Sequence, residues 1–354
     1  MMKIKSRKKF ACRGFTLIEL MVAVFLSGLV VMAAFHVHTT FQSTLNRQEE
    51  ISRMQQTMKV TRELLVSRIR GAGGGVSSNI WTDCGGQRPI GPFMIHNANA
   101  IGAADNTEGG QDNDPDWFEV LSPDYNSSGT LSKDHPIVST NKPTDEAANF
   151  QVGDLLLIQN EHGACLLMVR GVHKNHIVHQ THGGGGNPIS NCYGADLSVC
   201  KNAMKTNQLP SGSPIINMGR KSAAFRLDDS DPKRPMLMMA SGQAGGDPAL
   251  YDWQPIAEGV EDMQIAVHVD TDDPPNGFGN IWVNSRDLTV NETSRVRAVR
   301  LSLVFRSTRE IPGWNQGRRP ALEDRPAGTT TDGFVRRTFT TIIKLRNMPR
   351  EVTP

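Results

Sequence analysis

Apolar residues run almost unbroken from Phe15 to Phe35, and the single ionisable side chain among them is Glu19. A helix of that length just spans the hydrocarbon core of a bilayer. Beyond it the pattern becomes one-sided: Phe41, Leu45, Ile51, Met54, Met58, Leu65 and Ile69 recur mostly three or four apart among polar residues such as Gln48, Glu50, Arg53 and Lys59. That spacing predicts an amphipathic helix. The two stretches together predict one helix from Phe15 to about Arg70, roughly 80 Å long, apolar all round in its first half and one-sided in its second. Gly71, Gly73, Gly74 and Gly75 end it.

The period then changes to two. Asp154–Gln159 (DLLLIQ) reads as a strand that turns at Glu161-His162-Gly163 into Ala164–Val172, with a third strand near His176–Gln180. Met263, Ile265, Val267 and Val269 alternate with Gln264, Ala266, His268 and Asp270, which predicts one buried and one wet face. Val299, Leu301, Leu303 and Phe305 repeat that alternation, and Phe334–Leu345 reads as a closing strand. Ser77–Asn149 and Gly183–Ser213 are rich in turn residues and read as long surface insertions. The expected class is α+β: a long N-terminal helical spine, transmembrane in its first half, packed on a β-rich globular head with long loop insertions.

Composition narrows the picture. With 354 residues, 38% of them hydrophobic and 21% charged, the chain can bury a real core but is too polar for a polytopic membrane protein. Its net charge of +2 misleads, because Lys3, Lys5, Arg7, Lys8, Lys9 and Arg13 all lie in the first 14 residues, with no acid among them. Without those six charges the remainder is near −4, which argues against nucleic acid as a partner.

The N-terminus admits three readings. A secretory signal needs small residues before a cut that follows the apolar run, and Ala33-Ala34 followed by Phe35 fits that poorly. A signal anchor would use the basic start to hold the N-terminus in the cytoplasm. Neither accounts for Glu19, since a carboxylate in a membrane helix costs about 2.5–3.5 kcal/mol and calls for a partner. The third reading rests on the run Arg13-Gly14-Phe15-Thr16-Leu17-Ile18-Glu19-Leu20, which resembles the type IV prepilin motif.

In that family a membrane peptidase cuts after the glycine and methylates the new N-terminal amine. The resemblance therefore implies a leader over residues 1–14, cleavage at Gly14 and N-methylation of Phe15. It also implies a transmembrane half over 15–35, an amphipathic half over 36–70 and a β-rich head over 71–354. Glu19 would dock by pairing with the Phe15 amine of a neighbouring subunit, a buried pair that fixes register more than it stabilises.

The head extends the likeness. The order Ser67-Arg68-Ile69-Arg70-Gly71-Ala72-Gly73, then Gly259-Val260-Glu261-Asp262-Met263-Gln264, then Val296–Leu303 and finally Leu345-Arg346-Asn347 resembles PilW-type minor pilins. It is also similar to J-type pseudopilins of type II secretion. The resemblance implies other minor and major pilins, the prepilin peptidase and the inner-membrane assembly platform as partners. It implies a single-pass precursor with a periplasmic head, later built into a pilus or pseudopilus. A tip adhesin that binds a surface ligand through the head insertions is a further alternative.

Other candidate chemistry is sparse. Cys84, Cys165, Cys192 and Cys200 form an even set beyond the apolar run, as expected for two disulfides in an exported domain. The short separation favours Cys192 with Cys200 and leaves Cys84 with Cys165, although three connectivities are open. Asp270, Asp272 and Asp273, with Asn276 and Asn280, offer oxygen ligands that calcium would accept, against a plain reading as turn chemistry. Asp105, Asp112, Asn113, Asp114 and Asp116 form a second acidic cluster. His173, His176, His179 and His182 recur every third residue, a spacing that puts them on alternate faces of a strand. No cofactor is required, and no nucleophile elbow, zinc signature or acid pair points to an enzyme.

Overall fold

The computed structural model describes residues 16–74, 92–96, 114–137, 139–160, 164–179, 206–242, 251–272, 276–284, 288, 292 and 295–345. One helix, α1, runs Leu17–Arg70. The strands that follow are β1 (Phe93–His96), β2 (Trp117–Val120), β3 (Asp124–Thr130), β4 (His135–Pro136), β5 (Asn141–Pro143) and β6 (Leu155–Gln159). Next come β7 (Ala164–His173), β8 (His176–His179), β9 (Gln208–Leu209), β10 (Pro214–Asn217), β11 (Ala223–Asp228) and β12 (Met236–Ser241). The last are β13 (Gln254–Glu258), β14 (Val260–Val269), β15 (Ile281–Val283), β16 (Val296–Arg306) and β17 (Arg336–Lys344). The α+β class holds.

The chain forms two compact units, Met1–Glu50 and Ile51–Pro354. In the first, α1 leaves its apolar side chains bare: Leu17, Phe25, Met32 and Phe35 are each at least two-thirds exposed. In the second, the last turns of α1 pack into the head. Leu65 and Ile69 are wholly buried, worth about 1.5–3 kcal/mol each. They share a core with Phe93, Phe118, Phe225 and Leu237 of one sheet and Ile265, Leu301 and Ile343 of another. Arg62 lies 5.2 Å over the Phe339 ring, and Arg68 donates to the Lys221 carbonyl at 3.0 Å. Gly73, at φ +67°, turns the chain away after the helix and donates to the Leu121 carbonyl at 3.0 Å.

Among the described residues three larger sheets build the head, all of their pairings antiparallel. Their orders are β1-β2-β11-β12-β13, then β3-β10-β6-β7-β8-β5, then β15-β14-β16-β17. The six-stranded sheet has a core of its own, made of Leu131, Phe150, Leu156, Leu167, Ile177 and Ile215. Here the structure departs from expectation, because Ser77–Asn149 is not simply loop. Its described parts supply five strands, and β2 lies inside a sheet beside β11, about a hundred residues later.

The wet face expected of β14 is also largely absent. Asp262, Gln264 and Ala266 are as buried as Met263 and Ile265. The segment between β16 and β17 folds over that face. From the other side Asp116 accepts from the Ile265 N–H at 2.6 Å and donates its own N–H to the Met263 carbonyl at 2.8 Å, pairing with β14 where β15 does not reach.

Candidate functional site

The start of α1 carries the first candidate. The Thr16 carbonyl accepts the first helical bond from Leu20 N–H at 3.2 Å, which makes Thr16 the N-cap. Glu19 Oε2 accepts from the Thr16 N–H at 3.0 Å and from its hydroxyl at 3.1 Å, while the hydroxyl accepts from Glu19 N–H at 3.3 Å. The two residues thus close a capping box, in which each side chain bonds the backbone of the other. The signal was present in the sequence as Thr-x-x-Glu ahead of an apolar run. The docking role expected of Glu19 does not include this contact.

Glu19 therefore does two things that bear on its chemistry. It neutralises orphan N–H groups at the positive end of its own helix, and it remains on the surface, where another group can reach it. Among the described residues α1 is the one helix long and apolar enough to cross a membrane. Gly14 and Phe15 lie outside the described residues.

The second feature is a set of buried charges on the outer face of β14. Asp262, wholly buried, accepts from Arg319 Nη1 at 2.8 Å and from Arg325 Nη1 at 2.7 Å, one on each oxygen. Glu323 takes both Arg300 Nε (2.8 Å) and Nη2 (2.6 Å), together with the Ser302 hydroxyl at 3.0 Å. These contacts pin the β16–β17 segment to the sheet. Glu323 holds φ +49°, the one positive φ of a non-glycine among the described residues.

Beside them Arg336 bonds Glu261 at 2.5 and 2.8 Å and Asp332 at 2.7 and 2.6 Å. Burial works against its charge, but the bonds to Asp332 and Glu261 outweigh that and hold its pKa above the ordinary arginine range. Burial outweighs the nearby carboxylates at Arg306 and Arg319, chiefly Glu261 and Asp262 respectively, and holds both below it. The sequence brought Glu261 and Asp262 forward only as part of a family-like run. The arginines that hydrogen-bond them lie 57 to 75 residues away, a separation that no local pattern reveals.

The acidic loop after β14 is tied up internally. Asp270, wholly buried, accepts from Gly277 N–H at 2.6 Å and from Asp272 N–H at 3.3 Å, with Arg297 at 3.6 Å. Asp272 accepts from the side chains of Asn280, at 2.9 Å, and Asn276. Asp273 lies outside the described residues, as do Asp105, Asp112 and Asn113. Among the described residues no group of three His, Cys, Asp or Glu side chains is placed to hold a metal ion.

His173 and His176 stack at 4.6 Å across the β7–β8 turn. His179 is buried instead beside Lys142, whose Nζ lies 3.1 Å from its Nε2. That lysine is itself buried, donates to the carbonyls of Ile137 (3.1 Å) and Ser139, and has its pKa pushed by burial from 10.5 down to about 8. His182, Cys84, Cys192 and Cys200 lie outside the described residues, and of Cys165 only its place in β7 is described.

Comparison with known proteins adds two matches to this geometry. The family described as Type IV Pilus-assembly protein W matches residues 224–347, which run from β11 past the end of β17. The prokaryotic N-terminal methylation motif matches residues 9–35. No curated protein matches the chain. One solved structure, a type IV-like pilin from Thermus thermophilus, aligns with 56% of this chain and 86% of its own at 14% identity and a TM-score of 0.26.

Proposed function

We propose that this chain, a type IV pilin-like protein carrying a PilW pilus-assembly domain, is a minor pilin that takes part in starting or building a type IV pilus. The observation that carries the reading is the conjunction of the methylation motif over residues 9–35 with a bare apolar helix whose first turn holds Glu19. In this account a prepilin peptidase cuts after Gly14 and methylates Phe15, and the head stays on the periplasmic side while the apolar half of α1 sits in the inner membrane. Assembly moves that half from lipid into a bundle of pilin helices, where its bare side chains find partners. Glu19 docks the incoming subunit by pairing with the amine of a neighbour. The head contributes surface for other minor pilins, and the function is structural rather than catalytic.

A second reading has its own observation. The six-stranded sheet, with a separate core, falls within residues 124–217 and outside the PilW match. A module added to a pilin head in this way fits a binding role at the filament tip.

Complementing a strain that lacks the protein tests both. Loss of surface filaments with Glu19→Ala supports assembly through the helix. If filaments form normally with Glu19→Ala, and only adhesion fails when the inserted sheet is altered, the assembly role is wrong and the binding reading replaces it.

A further inference from the structure

Beneath the segment that joins β16 to β17 lies a cavity of about 380 Å³, whose lining includes four arginines, Arg306, Arg319, Arg325 and Arg336. Asp229, Glu261 and Asp332 share the wall. A guanidinium carries five N–H donors in a planar fork, and the use of those donors separates the four. Arg336 is saturated by Glu261 and Asp332. Arg319 spends its donors on Asp262 and on the carbonyls of Pro320 and Pro326.

The Arg306 guanidinium gives one hydrogen bond, to the Pro232 carbonyl at 2.5 Å, and otherwise stands 3.6 Å from Glu261. Its plane is fixed by the Phe334 ring, 4.2 Å away. Among the described residues Arg325 also gives one side-chain bond, from Nη1 to Asp262, and none from Nη2. Its Nε–H is buried with no acceptor, at a cost of roughly 1–3 kcal/mol, and is shut off from the cavity, so the donors that Arg325 offers there are those of Nη2.

We propose that this cavity is an oxyanion site, in which Arg325 and Arg306 take the carboxylate or phosphate group of a ligand while Arg319 and Arg336 stay engaged with the protein's own acids. Guanidinium forks match both groups in bidentate geometry. With Asp262 behind Arg319 and Arg325, the four arginines meet four carboxylates and the group carries no net charge, so a single oxyanion is held by the unused donors of Arg306 and Arg325 and a polyanion is disfavoured. Its volume lies near the lower end for small-molecule sites. A compact free anion fits it, and so does one acidic side chain of a neighbouring protein.

The test uses the full chain in detergent micelles, titrated with inorganic phosphate and separately with acetate against chloride at constant ionic strength, and followed by calorimetry and thermal melting. Arg325→Lys is the discriminating variant, because it keeps a cation for Asp262 but loses the unused Nη2 donors of the guanidinium fork. The expected result is a rise in wild-type melting temperature with either anion. In Arg325→Lys the apparent affinity falls about tenfold, the equivalent of one charge-assisted bond, while melting in chloride is unchanged. Should Arg325→Lys melt early in chloride, Arg306→Lys supplies the same comparison.

Equal responses in wild type and variant, or no wild-type response to either anion, overturn the proposal. Competition then separates the sources. Phosphate that releases co-purifying pilin heads identifies a partner's acidic side chain as the occupant, and phosphate binding that leaves such association intact identifies a free anion.

Discussion

Glu19 accepts the backbone N–H of Thr16 at 3.0 Å, so the acid expected to dock the subunit is also the cap of the helix it begins. The two roles come apart under substitution. Glutamine serves at the third position of a capping box as well as glutamate does, but it carries no charge for a neighbour's amine. Glu19→Gln is expected to leave leader processing and helix content unchanged and to lose filament incorporation. Thr16→Ala is expected to cost about 1 kcal/mol of helix stability and to keep incorporation measurable. Circular dichroism in micelles and immunoblots of sheared filaments read the two effects, and normal incorporation of Glu19→Gln would make capping the acid's main task.

Asp262 holds two guanidiniums against the buried face of β14. Its replacement by asparagine leaves both cations without their counter-charge, and breaking a buried ion pair from one side costs about 3–5 kcal/mol. Chemical denaturation of the Asp262→Asn head should show a loss of that size, together with earlier proteolysis within 308–334. A loss below about 1 kcal/mol would mean that the segment is held by packing alone.

Gly259 sits at φ +82°, where an added Cβ would stand 2.8 Å from the Arg306 carbonyl oxygen. It opens the bulge from which β14 starts beside β16, with Arg306 N–H bonded to its carbonyl at 2.8 Å. Gly259→Ala should therefore destabilise by about 1–3 kcal/mol through backbone strain, while Gly28→Ala, with nothing within 4 Å of its Cβ, should leave stability unchanged or improve it. Paired thermal melts decide the matter.

Lys142 makes the six-stranded sheet sensitive to alkali in an unusual direction. Its pKa is 10.5 unfolded and about 8 folded, so between those values the unfolded chain binds more protons. Stability contributed by this group therefore rises with pH from about 8 to 10.5, by at most about 1.4 kcal/mol per pH unit. Burial and the charge of Lys142 hold His135 below the ordinary histidine range, so it does not titrate in that window. The rise should vanish in Lys142→Met. Parallel curves for wild type and variant between pH 8 and 10 would contradict it.

Much of this architecture is legible in the sequence, for identifiable reasons. The helix shows because an unbroken apolar run passes directly into positions three or four apart, and β14, β16 and β17 show because each is nine or more residues long and alternates over much of that length. β1 and β2 are only four residues long and sit among glycine, asparagine and aspartate. β2 gains its place from β11, a partner far along the chain, and Phe118 stacks on Phe225 at 5.0 Å only once that pairing exists. The burial of both faces of β14 is hidden likewise, because Arg319, Arg325 and Glu323 lie in a run of turn residues that resembles an ordinary loop. At the helix start Thr16 and Glu19 stand in capping-box spacing ahead of an apolar run, a signal legible in the sequence alone.

The most direct measurement is the intact mass and N-terminal sequence of the protein recovered from membranes of a cell that carries its prepilin peptidase. The account predicts a chain that begins at Phe15 and carries one methyl group on its amine. A chain that begins near Phe35, or one that keeps residues 1–14, would contradict it.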